Sequence, residues 1–167
     1  MQFKNIALTA ASAATVSAQT PIGQTFGVLS IHSGSPVQYA GWSASSRGIF
    51  NLGPAQNASC DKGAKEEFAT FHLNDKSELF LYSTGNPVQQ VYVDRSGMGQ
   101  GIVGYTTGDG HLKFDGADFQ SCPGYVDGAY KIWLAGTSNP GGNSDCVAVA
   151  ARVQTLSEPV GCLYQQQ

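Results

Sequence analysis

Charge is scarce in this 167-residue chain, and basic charge is the scarcest part of it. Lysine and arginine together number 9, charged residues of both signs make up 13% of the sequence, and the formal net charge is −3. No basic run or polybasic tail is present. Because nucleic acids and anionic membranes bind proteins through clustered lysine and arginine, we expect neither to be a partner.

Long apolar runs and closely spaced cysteines are also missing. After residue 16 no apolar run approaches the ~20 residues that a membrane-spanning helix needs, so we expect no membrane span. The shortest gap between cysteines leaves 15 residues, whereas structural zinc sites use close pairs such as C-x-x-C. We therefore expect no metal site.

The first 18 residues have the order of features found in secretory signal peptides. Lys4 supplies a positive start, residues 6–16 form a short apolar and small-residue core, and Val16-Ser17-Ala18 offers small side chains for cleavage after Ala18. We predict a signal peptide over residues 1–18 and a single mature domain over residues 19–167. Removing Lys4 changes the formal charge from −3 to −4.

Cysteine usage and one sequon agree with export. The four cysteines are Cys60, Cys122, Cys146 and Cys162. An even number in an exported chain suggests two disulfides, and three pairings remain open. Asn57-Ala58-Ser59 has the N-x-S/T form in a loop-like context, so we predict glycosylation at Asn57.

Apolar residues recur at every second position across most of the chain, as in Phe71 and Leu73, or Leu112 and Phe114. This period is typical of half-buried β-strands. Turn residues separate the runs at short intervals. We predict an all-β fold: a single compact antiparallel domain of about ten short strands, stabilised by disulfides, and trefoil-like or a closed barrel. A β-sandwich is the alternative.

One glycine motif has the spacing found in nucleotide-binding loops. Gly99, Gly101 and Gly104 have the spacing G-x-G-x-x-G after a short strand-like run. A dinucleotide loop must pass into a helix whose N-terminal amides hold the phosphates. Here Tyr105-Thr106-Thr107-Gly108 follows, which favours a strand and a turn. We interpret the glycines as shaping the backbone and predict no cofactor.

No convincing active site emerges from the candidate catalytic residues. The three histidines are His32, His72 and His111. Alternation places His72 and His111 on the faces opposite their apolar neighbours, where exposed strand histidines are the simple interpretation. Asp109, Asp115 and Asp118 lie near His111 but lack the dense oxygen spacing of a calcium loop, so we interpret them as hairpin-turn residues. We predict no catalytic residues and no enzyme.

The two tryptophans are candidate carbohydrate contacts. Trp42 has the small neighbours Gly41, Ser43 and Ala44, which could leave it open, and Trp133 shares a strand face with Lys131. Exposed aromatic rings can stack on sugars. The alternative is that both rings cover the edge of the core, where large aromatics contribute most.

Several segments resemble the PhiA family of fungal cell-wall proteins, which is associated with phialide development and includes a mould allergen. They cover most of the mature chain: 26–39 (FGVLSIHSGSPVQY), 56–61 (QNASCD), 91–108 (VYVDRSGMGQGIVGYTTG), 111–116 with 121–123, and 145–153 (DCVAVAARV). The four cysteines also fall where the family pattern places them. One departure is the short Asp109-Gly110 connection before His111, where family members carry a longer segment.

The resemblance implies a secreted, wall-localised, non-enzymatic protein that supports the fungal wall and the development of spore-bearing cells. Its expected partners are wall polysaccharide or other wall proteins, and its oligomeric state is open. Two alternatives remain: a carbohydrate-binding module for β-glucan or chitin, which would display Trp42 or Trp133 in a groove, and a small secreted hydrolase.

Overall fold

A computed structural model describes residues 23–45, 48–52, 56, 58–63, 67–85, 87–94 and 100–164. The predicted signal peptide with its cleavage position at Ala18, the sequon residue Asn57 and the motif glycine Gly99 lie outside the described residues.

The described part of the chain forms fifteen strands and four short 3₁₀ turns. The strands are β1 (Thr25–Ile31), β2 (Ser43–Ser45), β3 (Gly48–Asn51), β4 (Ala58–Cys60), β5 (Phe71–Leu73), β6 (Leu79–Leu81), β7 (Gln89–Val91), β8 (Val93–Asp94), β9 (Gln100–Gly101), β10 (Tyr105–Thr106), β11 (His111–Phe114), β12 (Phe119–Cys122), β13 (Tyr130–Leu134), β14 (Val147–Thr155) and β15 (Cys162–Tyr164). The 3₁₀ turns are Asp61–Gly63, Gly108–Gly110, Val126–Gly128 and Pro140–Gly142. No helix of the described residues is long and apolar enough to span a bilayer.

Eleven strands form one sheet around β14. The order is β2-β3-β13-β12-β14-β1-β5-β6-β7, with β11 paired to β14 and β10 paired to β11. One edge of β14 pairs antiparallel with β1, from Phe26↔Thr155 to Ile31↔Ala150. Its other edge pairs with β12 and then with β11. The nine-residue β14 therefore carries strands along both edges and forms the centre of the sheet.

The sheet curls into a half-barrel. Ala44 near one margin, Leu81 near the other and Val149 at the centre belong to the same buried core. Because distant parts of the sheet share this core, the core lies on the concave side. The prediction of an all-β, antiparallel, disulfide-stabilised domain is confirmed. Among the predicted architectures the half-barrel comes nearest to the barrel, with β2 and β7 as its two margins.

Side-chain alternation follows the period seen in the sequence. Phe71 and Leu73 are buried while His72 between them is half-buried, and Leu112 and Phe114 are buried on either side of half-buried Lys113. Strand β13 is different, because all five of its residues are half-buried. Both faces of β13 are therefore partly covered, and this strand borders the cavity described below.

A two-stranded ribbon, β4 with β15, is attached to the β7 margin. Within it Cys60 and Cys162 are direct cross-strand partners and form a disulfide. The buried carboxamide of Gln89 in β7 then bonds the ribbon backbone at Tyr164. Its Nε2 donates to the carbonyl oxygen at 2.7 Å, and its Oε1 accepts from the amide at 2.8 Å. The carboxamide of Gln89 thus makes the two hydrogen bonds that the backbone of a neighbouring strand would otherwise make with Tyr164.

The second disulfide joins Cys122 to Cys146. Ser121 pairs with Val147 at the end of the β12–β14 ladder, so the cysteines stand one position beyond the last paired residues. The two predicted disulfides are thereby present, and of the three open pairings the structure has Cys60–Cys162 with Cys122–Cys146. One bridge fixes the ribbon and the other fixes the end of the central strand.

The two bridges should differ in their effect on stability. In the chain-entropy relation a cross-link across 102 residues contributes about 4.7 kcal/mol and one across 24 residues about 3.5 kcal/mol. We expect Cys60→Ser/Cys162→Ser to lower the free energy of unfolding in urea more than Cys122→Ser/Cys146→Ser. A larger loss from the second pair would show that local packing at β12 and β14, and not loop closure, controls the effect.

Candidate functional site

A cavity of about 440 Å³ lies on the concave side of the half-barrel. Its lining includes Ser45, Gly48 and Ile49 near one margin, and residues 89–94 at the other. Small-molecule sites in proteins usually enclose roughly 300–1,000 Å³. The cavity therefore lies where a full barrel would close, and its volume is that of a ligand site.

The inner wall of the cavity is aromatic and buried. Trp42, Tyr105, Phe119 and Tyr164 line it and are at most 6% exposed. Burial also raises the pKa of the Tyr105 phenol far above its ordinary value of 10.0. This phenol therefore stays protonated at physiological pH and cannot act there as a base.

The more exposed residues of the lining form a rim that contains both aromatic and charged side chains. Lys131 and Trp133 come from β13, while Tyr92 and Asp94 come from the β7–β8 side. In the part of the rim that the structure describes, Lys131 supplies a cation from one side of the gap and Asp94 a carboxylate from the other. The predicted carbohydrate contacts Trp42 and Trp133 are brought to the same cavity, Trp42 in the wall and Trp133 in the rim.

Trp42 is only 2% exposed, so its small neighbours do not leave it open to solvent. The indole packs edge-on against Phe119, with ring centroids 5.1 Å apart. Its Nε1 donates a 2.9 Å hydrogen bond to the hydroxyl of Ser30. The ring is therefore a fixed wall of the cavity, and any ligand would reach it only from inside.

Asn51 completes the buried polar network behind Trp42. Its Oδ1 accepts from the hydroxyls of Ser30, at 3.1 Å, and Ser121, at 3.0 Å. Its Nδ2 lies 3.2 Å from the carbonyl oxygen of Ala40 and 3.4 Å from that of Gly41. Asn51, Ser30 and Ser121 are 0% exposed. Burying a carboxamide is unfavourable unless it is hydrogen-bonded, and this one is bonded at both of its polar atoms.

Trp133 and Lys131 lie together on β13, as their shared strand face predicts. The Lys131 ammonium is 5.0 Å from the centroid of the Trp133 ring and 5.4 Å from that of the Tyr125 ring. Cation–π contacts of this length are favourable. Gly141 approaches the edge of the Trp133 ring so closely that an added Cβ would lie 3.3 Å from Cζ2. The indole is therefore held in place, and it is half-buried.

In the described part of the glycine motif, Gly104 is followed by a strand and a turn, as predicted. Gly101 in β9 pairs with Val93 in β8, and Gly104 leads into β10 without an intervening helix. Gly104 has a φ of +127° and lies so close to Asp115 that a side chain would clash with its carboxylate. The backbone amide of Gly104 donates to the carbonyl of Ser77 at 3.1 Å. Gly104 therefore permits close approach of the backbone.

The histidines occupy three different settings. His32 Nδ1 lies 2.6 Å from the carbonyl oxygen of Ala148, and His111 Nδ1 lies 2.9 Å from that of Asp109. His72 stacks on Phe80 with ring centroids 5.2 Å apart. Its Nδ1 is buried without a hydrogen-bond partner among the described residues, and burial lowers its pKa below the ordinary 6.5.

Of the acidic residues near His111, Asp109 and Asp115 are turn residues, as expected, whereas Asp118 lies just before β12. Asp109 and Asp115 have φ values of 56° and 49°, in the left-handed region that turns use. Asp118 lies 3.9 Å from the ammonium of Lys113. Within the described ranges, no three His, Cys, Asp or Glu side chains are grouped so that they could hold a metal ion.

The sequence pattern marks neither Asn51 and Gln89 nor the cavity as functional features. Asn51 follows buried Phe50, so two neighbouring residues of one strand are both buried, and no alternation marks the asparagine. Gln89 is a polar residue at the start of a short strand. The only local signal at either position is a polar residue adjoining a strand-like run.

Comparison with known proteins gives a consistent result across nearly the whole chain. A family profile described as PhiA-like secreted protein matches residues 26–111 and 107–165. A protein of Aspergillus fumigatus named cell wall protein phiA is 46% identical over 99% of this chain and 100% of its own length. Proteins of the same name from Emericella nidulans and Aspergillus niger are 46% and 43% identical, over 92% and 98% of both chains. No solved structure matches the chain significantly.

The short connection before His111 also stands out in these comparisons. The two segments matched by the family profile overlap at residues 107–111. The alignment with the Aspergillus fumigatus protein spans 187 positions, more than the 167 residues of this chain. In the structure the connection is the 3₁₀ turn Gly108–Gly110, which leads directly into β11.

The setting of His72 makes stability depend on pH. Because the pKa of His72 is lower in the folded protein than its ordinary value of 6.5, the unfolded chain takes up a proton that the folded chain resists. Stability is then greatest above pH ~6.5 and falls as the pH drops through the window below it. We expect His72→Phe, which keeps an aromatic ring against Phe80, to reduce the loss measured by urea unfolding between pH 7.5 and 5. Equal losses in variant and wild type would contradict this.

Proposed function

The chain belongs to the family of PhiA-like secreted proteins, and from this premise we propose that it is a non-enzymatic structural and interaction protein of the fungal cell wall. The observation that carries the proposal is the match over nearly the full length to three proteins named cell wall protein phiA. The alignment with the Aspergillus fumigatus protein extends over 99% of this chain and 100% of the relative, so the similarity is not confined to one part of either protein.

The construction of the domain supports a scaffold role. Cys60–Cys162 and Cys122–Cys146 pair all four cysteines of the chain within the domain. One bridge lies in the ribbon at the β7 margin and the other at the start of the central strand β14, so they restrain two different regions of the half-barrel. A small exported domain gains stability from such bridges. With no thiol left over, attachment to the wall through an intermolecular disulfide is disfavoured, and we infer non-covalent retention.

The inference that the protein is not an enzyme has two supports. The names of the relatives denote a wall protein and mention no reaction. A hydrolase, the alternative, would bring a histidine together with a carboxylate or serine in a pocket. The cavity lining contains none of the three histidines, and His32 Nδ1 and His111 Nδ1 lie against backbone carbonyl oxygens. We infer a role in support of the wall and of spore-bearing cells.

Two processing events complete the proposal: removal of the signal peptide after Ala18 and glycosylation of Asn57. The sequon asparagine is followed by Ala58, the first residue of β4, at the outer ribbon. The mass of the secreted protein before and after enzymatic deglycosylation, with sequencing of its N-terminus, reads out both events. An unchanged mass would remove the glycan from the proposal, and a start elsewhere than Gln19 would move the cleavage position.

Sequential extraction of isolated walls tests the proposed function. We expect the protein in the wall fraction and its release by hot detergent without reductant or glucanase, because non-covalent contacts retain it. Release only after glucanase digestion would show covalent attachment. Finding the protein entirely in the culture medium would contradict a role as a wall component.

A further inference from the structure

We propose that the gap in the half-barrel binds a neutral pyranose chain of wall polysaccharide, with Trp133 as its stacking surface. This inference deepens the proposed function and rests on it. It starts from a cavity of about 440 Å³ that both tryptophans line. The shared chemistry of β-glucan and chitin, a neutral β-linked pyranose chain, identifies the ligand class.

The cavity separates apolar from polar surface as a pyranose ring does. Its buried wall is made of Trp42, Tyr105, Phe119 and Tyr164, whereas its more accessible rim carries Lys131 and Asp94. A pyranose ring has an apolar C–H face and a periphery of hydroxyls. Sites for such ligands combine aromatic surface with a few polar groups that fix orientation. The C–H face would meet an indole, and the hydroxyls would meet the rim.

Charge on the lining favours a neutral ligand. Among the lining residues that the structure describes, Lys131 and Asp94 are the charged ones, one of each sign. A polyanion would meet the Asp94 carboxylate and a polycation the Lys131 ammonium, and each like-charge contact is unfavourable. A neutral chain with hydroxyl or acetamido groups can bond to both. Lipid would also fill the aromatic wall but would desolvate both charges without replacing their hydrogen bonds.

The aromatic groups are fixed before any ligand binds. Trp42 is hydrogen-bonded to Ser30 at 2.9 Å and packed on Phe119. Trp133 lies beneath the Lys131 ammonium and against Gly141. Since side chains that are already ordered lose little conformational freedom on binding, both indoles are suited to ligand contact. Trp133 is the more accessible of the two and is therefore the one whose removal should matter most.

Depletion from solution by insoluble polymers tests the proposal. The secreted protein is incubated with curdlan, a β-1,3-glucan, and separately with colloidal chitin, so that the two arms distinguish the sources. We expect at least one polymer to bind the wild type, and Trp133→Ala to weaken that binding about tenfold, as expected for loss of a central tryptophan contact. Trp133→Phe should retain most of the binding because it keeps an aromatic face.

Tyr39→Asn is the matched control. Tyr39 is 65% exposed, is absent from the cavity lining, and has a φ of 62° that asparagine tolerates. It should bind as the wild type does. Near-UV circular dichroism of each variant verifies the fold. If Trp133→Ala is misfolded, displacement of the bound wild type by a soluble oligosaccharide but not by a fatty acid remains the deciding measurement.

Three results would overturn the site: wild type left in solution by both polymers, Trp133→Ala binding as wild type, or bound protein displaced by a fatty acid but not by a soluble oligosaccharide. These outcomes differ from failure of the proposed function. A wild-type protein extracted from walls by detergent but bound by neither polymer would leave the wall role standing and remove the glycan site.

Discussion

The carboxamide of Asn51 is the interaction on which the arrangement of this half-barrel depends. It lies on β3, yet its Oδ1 accepts hydrogen bonds from Ser30 on β1 and Ser121 on β12. Ser30 in turn accepts from the indole of Trp42. Three strands and one large aromatic ring are thereby positioned by a single side chain at 0% exposure. In a low-dielectric interior such a satisfied network favours one geometry, because every alternative leaves a buried polar atom unpaired.

The hydrogen bonds of the Asn51 network also position the aromatic wall of the cavity. Since Trp42 is bonded on the network side, its ring forms a wall of the cavity between the margins of the sheet. On the far margin Gln89 performs a comparable task by bonding the backbone of Tyr164, another residue of the wall. The two carboxamides hold aromatic surface on both sides of a gap. A rigid gap of this kind is compatible with contact to an extended partner, while the disulfides resist unfolding outside the cell.

Local chemistry made parts of this structure predictable. Alternation around His72, and around Lys113, marks strands with one apolar face, and the β-branched and turn residues after Gly104 exclude a phosphate-binding helix. These features depend on residues close in sequence. The resemblance of segments such as 91–108 to the PhiA family predicted membership of that family.

The remaining features required tertiary structure. Asn51 meets a partner 21 residues away and another 70 residues away, so nothing beside it in the sequence marks its role. The small neighbours of Trp42 suggested an open ring, but burial of that ring is determined by Phe119 and Ser30. The cavity takes residues from position 42 to position 164. Which margin residues face each other is set by the curl of the whole sheet.

The most direct test of the Asn51 network is the free energy of unfolding of Asn51→Leu, measured in urea against the wild type at neutral pH. Leucine has the same number and branching of side-chain heavy atoms, but it removes the acceptor of the Ser30 and Ser121 hydroxyls and the donor to the carbonyl of Gly41. The carbonyl of Ala40 keeps its hydrogen bond from the amide of Ser30. We expect a loss of about 3 kcal/mol, since each buried polar group left unsatisfied costs roughly 1–3 kcal/mol. A variant within about 0.5 kcal/mol of the wild type, the range of an ordinary surface substitution, would contradict the central role assigned to this side chain.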